Sequence, residues 1–197
     1  MTPRDPIGRL RKNLQASVDA KQQLLADAGL LSQFEQAADA VVERYRRGGR
    51  IYIAGNGGSA ADAQHLAAEF VCRLSRDRAP LAAEALTVDS SILTAIGNDY
   101  GYEFVFSRQI AGKATGQDVF LAFTTSGQSP NILEALKQCR AMGVLSIVFC
   151  GRGGGGAKPL ADHCVVAPGA STSTVQEVHI VLAHTLCEVV ESAIFGD

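Results

Sequence analysis

The sequence predicts an α/β fold, in which a helical N-terminal arm precedes a doubly wound, mainly five-stranded parallel sheet of the flavodoxin-like type. After residue 50, five short apolar runs occur without polar alternation, as is typical of strands buried on both faces of a parallel sheet. Segments with helical periodicity fill the gaps between these runs, and alternating β and α elements build such a sheet. We expect the arm to span residues 1–49 and the sheet domain to span residues 50–197.

The predicted arm consists of two helices. From residue 8 to residue 47, apolar side chains recur at helical spacing, and Gly29 is the only glycine after Gly8, with which the stretch begins. The pattern predicts a break near residues 28–31. Two arginines and then Gly48 and Gly49 follow the second helix, which is a typical helix end. The apolar faces of this arm, together with that of the last helix, are expected to pack into an oligomer.

The sheet domain is predicted to alternate five strands with five helices. The predicted strands are 51–54, 83–88, 118–124, 144–150 and 163–167. The predicted helices are 59–72, 90–96, 102–113, 130–142 and about 175–195. In such folds, ligands bind outside the carboxyl ends of the strands, where the strand order reverses. The residues that directly follow the strands are therefore the first candidates for a binding site.

Composition excludes several classes of protein. The chain has 197 residues, 47% hydrophobic and 19% charged, which is a globular balance. Its net charge is -2 without a basic block, so we expect no nucleic-acid partner. We find no run long and apolar enough for a membrane span and no secretory signal. The five cysteines are far apart in apolar contexts, which favours reduced, buried thiols in a cytoplasmic protein.

A glycine cluster, residues 55–59 (GNGGS), follows the first strand and opens a helix. Glycine allows the backbone to approach a ligand closely, and the free amides of a helix start attract anions. We expect Ser59 to be the N-cap, with Asp62 completing a capping box.

Three interpretations of this loop are open from local pattern alone. It matches the dinucleotide fingerprint G-x-G-x-x-A, but that motif needs an acidic residue at the end of the second strand. Asp77 precedes that strand and Glu84 lies inside it, so neither fits. No lysine follows the glycines, which excludes a Walker loop. A sugar-phosphate loop and a plain turn are the other two interpretations.

A second loop, residues 124–129 (TTSGQS), has the same arrangement of strand, loop and helix. Ser129 is predicted to be an N-cap, with Pro130 at the first helical position. Hydroxyls and amides without a nearby lysine or arginine suit a phosphate monoester. Two such loops in one small sheet favour a phosphate ligand over a plain turn.

Several ionisable and amide side chains could carry chemistry. His65 and Glu69 are four residues apart and share one helix face. Gln176 and His184 lie on the last helix, eight residues apart. They are therefore about 80° apart around the helix and roughly 12 Å apart along it. That spacing alone does not suggest a common centre, and each residue also has a structural interpretation, as does His179.

The motifs together resemble a known family. The segments AGNGGSAADAQHLAAEF, LTAIGNDYGYEFVFSRQI, TTSGQSPNILEAL and VQEVHIVLAH are similar to those of the phosphoheptose isomerases, which are built on the sugar isomerase (SIS) domain. The resemblance covers nearly the whole chain. It implies isomerisation of sedoheptulose 7-phosphate to D-glycero-D-manno-heptose 7-phosphate through a cis-enediol, within the biosynthesis of ADP- or GDP-heptose precursors of lipopolysaccharide or other glycans.

The resemblance also implies roles for individual residues. Glu69 and His184 correspond to the acid/base pair. One Zn²⁺ per subunit would be held by His65, Glu69, Gln176 and His184, whose donor atoms are plausible zinc ligands. Family members are homotetramers with sites at subunit interfaces, which would relieve the spacing problem on the last helix. The implied substrate-binding residues are Asn56, Gly57, Gly58, Ser59, Glu69, Asn98, Asp99, Thr124, Thr125, Ser126, Ser129 and Gln176, with Asp89 as an additional candidate.

Alternatives remain within and beyond this family. Thr124 stands where relatives often have serine, and Thr174 where a basic residue is expected, so the exact sugar stays open. Related SIS proteins include a partner of the replication initiator and sugar-phosphate-sensing regulators. The presence of both Glu69 and His184 favours an enzyme over such a binding module. Asn98 and Asp99 could equally form a structural turn.

Overall fold

A computed structural model describes residues 4–196 and contains one parallel sheet with helices on both faces. The strands are β1 (Ile51–Gly55), β2 (Ala83–Ala85), β3 (Val119–Thr124), β4 (Leu145–Cys150) and β5 (His163–Val166). The helices are α1 (Pro6–Ala26), α2 (Ala28–Arg46), α3 (Gly58–Val71), α4 (Ser90–Asp99), α5 (Ser107–Lys113), α6 (Pro130–Met142) and α7 (Thr172–Phe195), with 3₁₀ turns at Tyr102–Phe104 and Arg152–Gly154.

The strand order is β2-β1-β3-β4-β5, and all neighbouring pairs are parallel. This is the order of flavodoxin-like, doubly wound sheets, so the predicted fold class is confirmed. The order reverses between β1 and β3, because the chain adds β2 on one side of β1 before crossing to the other. The carboxyl ends of β1 and β3 therefore flank the expected binding crevice.

Two hydrophobic clusters cover the two faces of the sheet. Successive side chains of β1 point to opposite faces, so Ile51 and Ile53 join one cluster while Tyr52 and Ala54 join the other. The first cluster packs against α1, α2, α3 and α7, and the second against α4, α5 and α6. Because residues of α2 such as Val41 belong to the first cluster, the N-terminal arm and the sheet share one core.

The break in the arm occurs at a single residue. Asp27 ends α1, and its carboxylate accepts hydrogen bonds from the amides of Gly29 (2.9 Å) and Leu30 (3.0 Å) at the start of α2. An aspartate at this position satisfies free amides at the helix start. The break therefore lies one residue before the predicted region. Helix α2 ends at Arg46, and Gly48 follows with φ 79°, as expected.

Helix α7 corrects one expectation from the sequence. With 24 residues and a mean hydropathy of 1.5 in its most apolar window, it is long and apolar enough to cross a membrane. Yet 44% of that window is buried inside the protein, and Val178, Leu186 and Val190 are inaccessible. Burial on several sides explains the composition, because a helix surrounded by core is apolar around much of its circumference.

The five cysteines are all free thiols, as expected. The expectation that all are buried is wrong for two of them. Cys72, at the C-terminal end of α3, is exposed, and Cys164, on the edge strand β5, is half-buried. The Sγ atoms of Cys150 and Cys164 are 3.2 Å apart.

Candidate active site

The two loops predicted to bind phosphate lie side by side. They follow β1 and β3, which pair in parallel with Gly55 opposite Phe123. A reciprocal pair of hydrogen bonds joins them: Asn56 Nδ2 donates to Asn131 Oδ1 (3.0 Å), and Asn131 Nδ2 donates to Asn56 Oδ1 (2.8 Å). Asn131 is 3% exposed. Sequence reasoning missed Asn131, because only the pairing of β1 with β3 brings it opposite Asn56.

The first loop turns on a glycine with an unusual backbone. Gly57 has φ 57° and ψ -121°, a conformation essentially restricted to glycine, and it caps α3 without a side-chain hydrogen bond. Helix α3 therefore begins at Gly58, and the prediction that Ser59 is the N-cap is wrong. Ser59 is buried inside the first turn, and Oδ2 of Asp62 has no hydrogen-bond partner. Burial raises the pKa of Asp62 above its usual value.

The second loop presents hydroxyls at the start of α6. Ser129 is the N-cap with Pro130 at the first helical position, as predicted, but its side chain makes no capping bond. Its Oγ instead lies 3.3 Å from Oγ1 of Thr124, which also accepts the amide of Gly127 (3.2 Å). The Ser126 hydroxyl accepts the amide of Gln128 (3.1 Å).

The glycine in this loop is required by close packing. Gly127 has φ 65°, and a side chain there would collide with the backbone of Gly154. The amide of Ala157 donates to Gly127 O (2.9 Å), so the glycine-rich segment after β4 packs directly against the loop. This packing fixes the hydroxyl-rich loop from behind.

Three chemically active side chains meet within one chain, further along the helix that begins at the first loop. His65 and Glu69 lie on α3, and His184 lies on α7. The Nε2 atoms of His65 and His184 are 2.9 Å apart, and His65 Nε2 is 3.6 Å from Glu69 Oε1. At that distance, one imidazole nitrogen carries a hydrogen and the other accepts it. The Glu69 side chain is only 19% exposed, whereas that of His65 is 47% exposed.

Gln176 lies outside this cluster and contacts the glycine loop. Its Nε2 donates to Ser59 Oγ (3.4 Å), and it occupies the space beside Gly58. Gln176 therefore contacts the glycine loop, whereas His184, eight residues later on α7, faces His65. Within one chain, α3 and α7 thus bring His184 to His65, but they bring Gln176 to Ser59 rather than to the histidines.

The predicted residues Asn98 and Asp99 are not brought to the loops by the contacts of the described chain. They end α4, are both exposed, and hydrogen-bond to one another (Nδ2 to Oδ1, 2.8 Å). Asp89 caps α4 by accepting the amide of Ile92 (2.9 Å). Helix α4 has no buried residue, so the side of the molecule that carries Asn98 and Asp99 is open.

The donor atoms of His65, Glu69 and His184 suit a zinc ion, although they are not already arranged around one metal position. Within residues 4–196, no group of three or more His, Cys, Asp or Glu side chains is already arranged around one metal position. Two nitrogens bound to tetrahedral zinc at 2.0–2.1 Å lie roughly 3.3 Å apart. The nitrogens of His65 and His184, 2.9 Å apart, need only a small separation to reach that spacing. Glu69 Oε1 is near enough to complete a third position.

His179, also on α7, has a structural role, as the sequence suggested. Its side chain is inaccessible, and its Nε2 lies 3.2 Å from the carbonyl oxygen of Cys150. Its Nδ1 has no partner. Burial lowers the pKa of His179 to about 4, so the ring is neutral at physiological pH.

Comparisons with known proteins show the family of this chain. Residues 16–151 match the family model for the SIS domain. The chain is 47% identical over 186 residues to a phosphoheptose isomerase of Aneurinibacillus thermoaerophilus, covering 94% of each chain. It is 50% identical over 173 residues to that of Burkholderia pseudomallei strain 1710b, covering 88% of each.

Solved structures show the same similarity. The phosphoheptose isomerase GmhA from Neisseria gonorrhoeae superposes with a TM-score of 0.87 at 38% identity, covering 94% of this chain and 98% of that one. A phosphoheptose isomerase from Francisella tularensis superposes with a TM-score of 0.91 at 30% identity, covering 96% and 100%.

Proposed function

This chain belongs to the phosphoheptose isomerase family of SIS-domain proteins, and from that premise we propose that Glu69 and His184 exchange the protons of its reaction. The enzyme is an aldose–ketose isomerase that converts sedoheptulose 7-phosphate to D-glycero-D-manno-heptose 7-phosphate in heptose biosynthesis. One observation carries the residue assignment: His65, Glu69 and His184 meet along the helix that begins at one of two adjacent loops of phosphate-binding type.

The two loops would anchor the phosphate end of the sugar. The first contributes residues 56–59 and the second Thr124, Thr125, Ser126 and Ser129. Both lie at helix starts, where backbone amides and the helix dipole favour an anion. The hydroxyl of Ser129 is free of any capping bond to α6, which leaves it able to donate to a phosphate oxygen. Asn98 and Asp99 would bind sugar hydroxyls from the open side.

With the phosphate held there, the carbonyl end of the sugar would lie between Glu69 and His184. Isomerisation requires removal of a proton from C1, proton exchange on O1 and O2, and delivery of a proton to C2. We assign the carbon-bound proton to the Glu69 carboxylate, which acts first as base and then as acid. His184 would shuttle the oxygen-bound protons, because an imidazole both donates and accepts. The intermediate is a cis-enediol, and the proton count balances across the two half-steps.

A zinc ion would be held by His65, Glu69 and His184, with the Gln176 amide oxygen as the fourth donor. Gln176 would have to turn from Ser59 to reach that position. When bound, zinc would act as a Lewis acid that polarises the carbonyl group. One ion per subunit follows from one such cluster per chain.

The assembly and location complete the proposal. Exposed apolar residues along α1 support a homotetramer, which would bring a further surface to the open side of the site. Five free thiols support a reducing, cytoplasmic location.

Two substitutions test the proton-transfer assignment. Glu69→Gln and His184→Asn should each lower kcat roughly 10²- to 10⁴-fold, because each removes one acid/base group while leaving the phosphate loops intact. KM for sedoheptulose 7-phosphate should change little. Glu188→Gln, at an exposed position of α7, is the control and should match wild type. If Glu69→Gln retains wild-type kcat, Glu69 is not the base, and if zinc-supplemented wild type forms no heptose phosphate, the activity is wrong.

A further inference from the structure

A buried ion pair lies behind the candidate site. Arg78, in the segment between α3 and β2, and Glu191, on α7, have side chains that are 2% and 1% exposed. Arg78 Nε lies 2.5 Å from Glu191 Oε1, and the second carboxylate oxygen accepts a hydrogen bond from Ser75 Oγ (3.4 Å). Charged side chains are almost never buried to this extent unless they are paired.

Besides the carbonyl oxygens of Ala79 (3.1 Å) and Cys72 (3.5 Å), Arg78 binds the end of the helix that carries Glu69. Nη2 donates to the Glu69 carbonyl oxygen (2.9 Å), and Nη1 donates to that of Phe70 (2.6 Å). These oxygens belong to the last turn of α3, where carbonyls lack partners within the helix and attract positive charge. Helix α3 has no basic residue of its own in that turn. One planar guanidinium therefore fixes the backbone of Glu69 directly.

The other partner of Arg78 is on the helix that carries His184. Glu191 follows His184 by seven residues, so both lie on one face of α7, two turns apart. The connection runs from the Glu69 backbone through Arg78 to Glu191 and along a rigid helix to His184. No other ion pair in the described part of the chain links α3 or its following segment to α7.

We propose that Arg78 and Glu191 are positioning residues that set the distance between the Glu69 carboxylate and the His184 imidazole. This inference rests on the proposed function, because it concerns the same two side chains. Acid/base groups must lie within hydrogen-bond reach of the protons they move, and small misplacements greatly reduce rates. Neither Arg78 nor Glu191 contacts the loops assigned to the substrate.

Stability alone does not explain this pair. Replacing a buried ion pair with apolar residues of similar volume is often neutral or stabilising, since burial of two charges is costly. The arginine fork also matches two carbonyl oxygens in a way that the single ammonium group of lysine cannot. The contact therefore requires the planar shape and orientation of the guanidinium group as well as its charge.

The first test is Arg78→Lys, which keeps the charge and loses the two-pronged contact. We expect kcat to fall roughly 10- to 100-fold with KM nearly unchanged. The primary isotope effect on kcat, measured with sedoheptulose 7-phosphate deuterated at C1, should increase because proton removal becomes more rate-limiting. Arg76→Lys is the matched control, since Arg76 also donates to a carbonyl group, that of Gly196, but is not bonded to α3.

Further variants separate positioning from folding. Glu191→Gln should resemble Arg78→Lys, whereas Glu188→Gln, on the exposed side of α7, should not. The double variant Arg78→Met/Glu191→Leu should keep a melting temperature close to wild type and still show the lower kcat. A folded double variant with wild-type kcat and isotope effect would overturn the proposal.

Crystal structures give a readout that does not depend on activity. In Arg78→Lys, the Glu69 carboxylate should shift relative to the His184 imidazole. The 2.9 Å between the Nε2 atoms of His65, on α3, and His184, on α7, should change with it. If the side chains of Glu69 and His184 keep their wild-type positions in the variant, the positioning role is wrong. An inactive wild type would instead contradict the proposed function, and the two crystal structures would still decide the positioning role.

Discussion

Gly58 has no side chain, and its position leaves space for the side chain of Gln176. A Cβ built at this position would lie 2.6 Å from Gln176 Nε2, the flexible end of a long side chain. The backbone of Gly58 is helical and has ordinary space elsewhere, so alanine fits α3 if Gln176 moves. The glycine therefore serves the placement of Gln176 rather than the turn, which depends on Gly57.

We predict that Gly58→Ala separates activity from stability. The added methyl group displaces the Gln176 amide, and kcat/KM should fall about tenfold, as for other losses of ligand support. The melting temperature should stay the same or rise slightly, because alanine is the better helix former by about 0.5–1 kcal/mol. Thermal unfolding and steady-state kinetics on one preparation check both parts. Unchanged kinetics would show that Gln176 has no role in the site.

A second residue-level prediction concerns acid stability. The unfolded chain protonates His179 near pH 6.5, whereas the folded protein does so only near pH 4. Between these values the unfolded state binds more protons, so the free energy of unfolding decreases as the pH falls from 6.5 to 4. The loss over this window is about 3 kcal/mol.

His179→Gln removes this titration while retaining an N–H donor for the Cys150 carbonyl group. Urea unfolding at several pH values between 7 and 4 should give a smaller acid-induced loss of stability than in wild type. His163→Gln, at a half-buried position of β5, is the control and should keep the wild-type dependence. Parallel curves for wild type and His179→Gln would contradict the prediction.

Residue positions were predictable where they depend on local contacts. His65 and Glu69 share a helix face by spacing alone, and Ser129 with Pro130 starts α6 as the sequence indicates. The prediction that Ser59 is the N-cap was wrong, because Gly57 is the N-cap residue. The positive φ of Gly57 cannot be recognised from capping propensities. Asn131 was missed for another reason: its partner lies 75 residues away in the chain.

At the level of elements, the contact between Asn56 and Asn131 links two loop–helix units. Each unit alone offers a helix start to an anion, and the reciprocal amide bonds fix one relative to the other. Tyr102 OH, which follows α4, also reaches Asn56 Oδ1 at 3.4 Å. The proposed phosphate site would therefore depend on the relative position of α3 and α6 and not only on the loops.

We predict that Asn131→Ala weakens phosphate binding more than it slows the chemical step. Removing both amide bonds lets the loops separate, so KM should rise about tenfold, equivalent to about 1.4 kcal/mol of binding energy. kcat should fall by a smaller factor because Glu69 and His184 are on other elements. Gln138→Ala, later on α6, is the control. Inhibition by inorganic phosphate should weaken in parallel with KM; equal inhibition of both proteins would contradict the prediction.

Element boundaries were predictable except where tertiary contacts decide them. The predicted strand 83–88 ends at Ala85, because only three of its residues pair with β1. The predicted helix 102–113 divides into a 3₁₀ turn and α5, after Gly101 with φ 106°. Helix α7 looks like a membrane span by composition, and only its packing against both the arm and α3 accounts for that character.

At the level of the whole molecule, the order of elements was predictable because it follows from alternating strands and helices. The strand order and the single core shared by arm and sheet required the structure, since both depend on contacts between distant segments. The same holds for the meeting of His65 with His184, 119 residues apart. The apolar side chains that stay exposed on a single chain are also informative, because a contiguous exposed apolar patch marks an interaction surface.

Helix α1 carries a stripe of exposed apolar side chains. Ile7, Leu10, Leu14, Val18 and Leu25 are between 47% and 73% exposed, and they recur at spacings of three, four and seven residues. That spacing places them on one face, as in helices that pair with another helix. The inward face of α1 is different and contains the buried residues Ala20 and Leu24. The stripe therefore supports the proposed tetramer.

Leu14→Glu should dissociate the proposed tetramer, because a charge in the middle of the stripe cannot be buried without a partner. Light scattering coupled to gel filtration should show a smaller mass than wild type, and circular dichroism should show an unchanged fold. Lys12→Glu is the control: two residues away, it lies about 200° around the helix and off the stripe, so it introduces the same side chain without affecting the interface.

Activity should fall with the mass if the open side beside Asn98 and Asp99 is completed by a neighbouring subunit. A Leu14→Glu protein with wild-type mass would show that α1 is not the interface, and a dissociated protein with full activity would show that each chain forms its site alone.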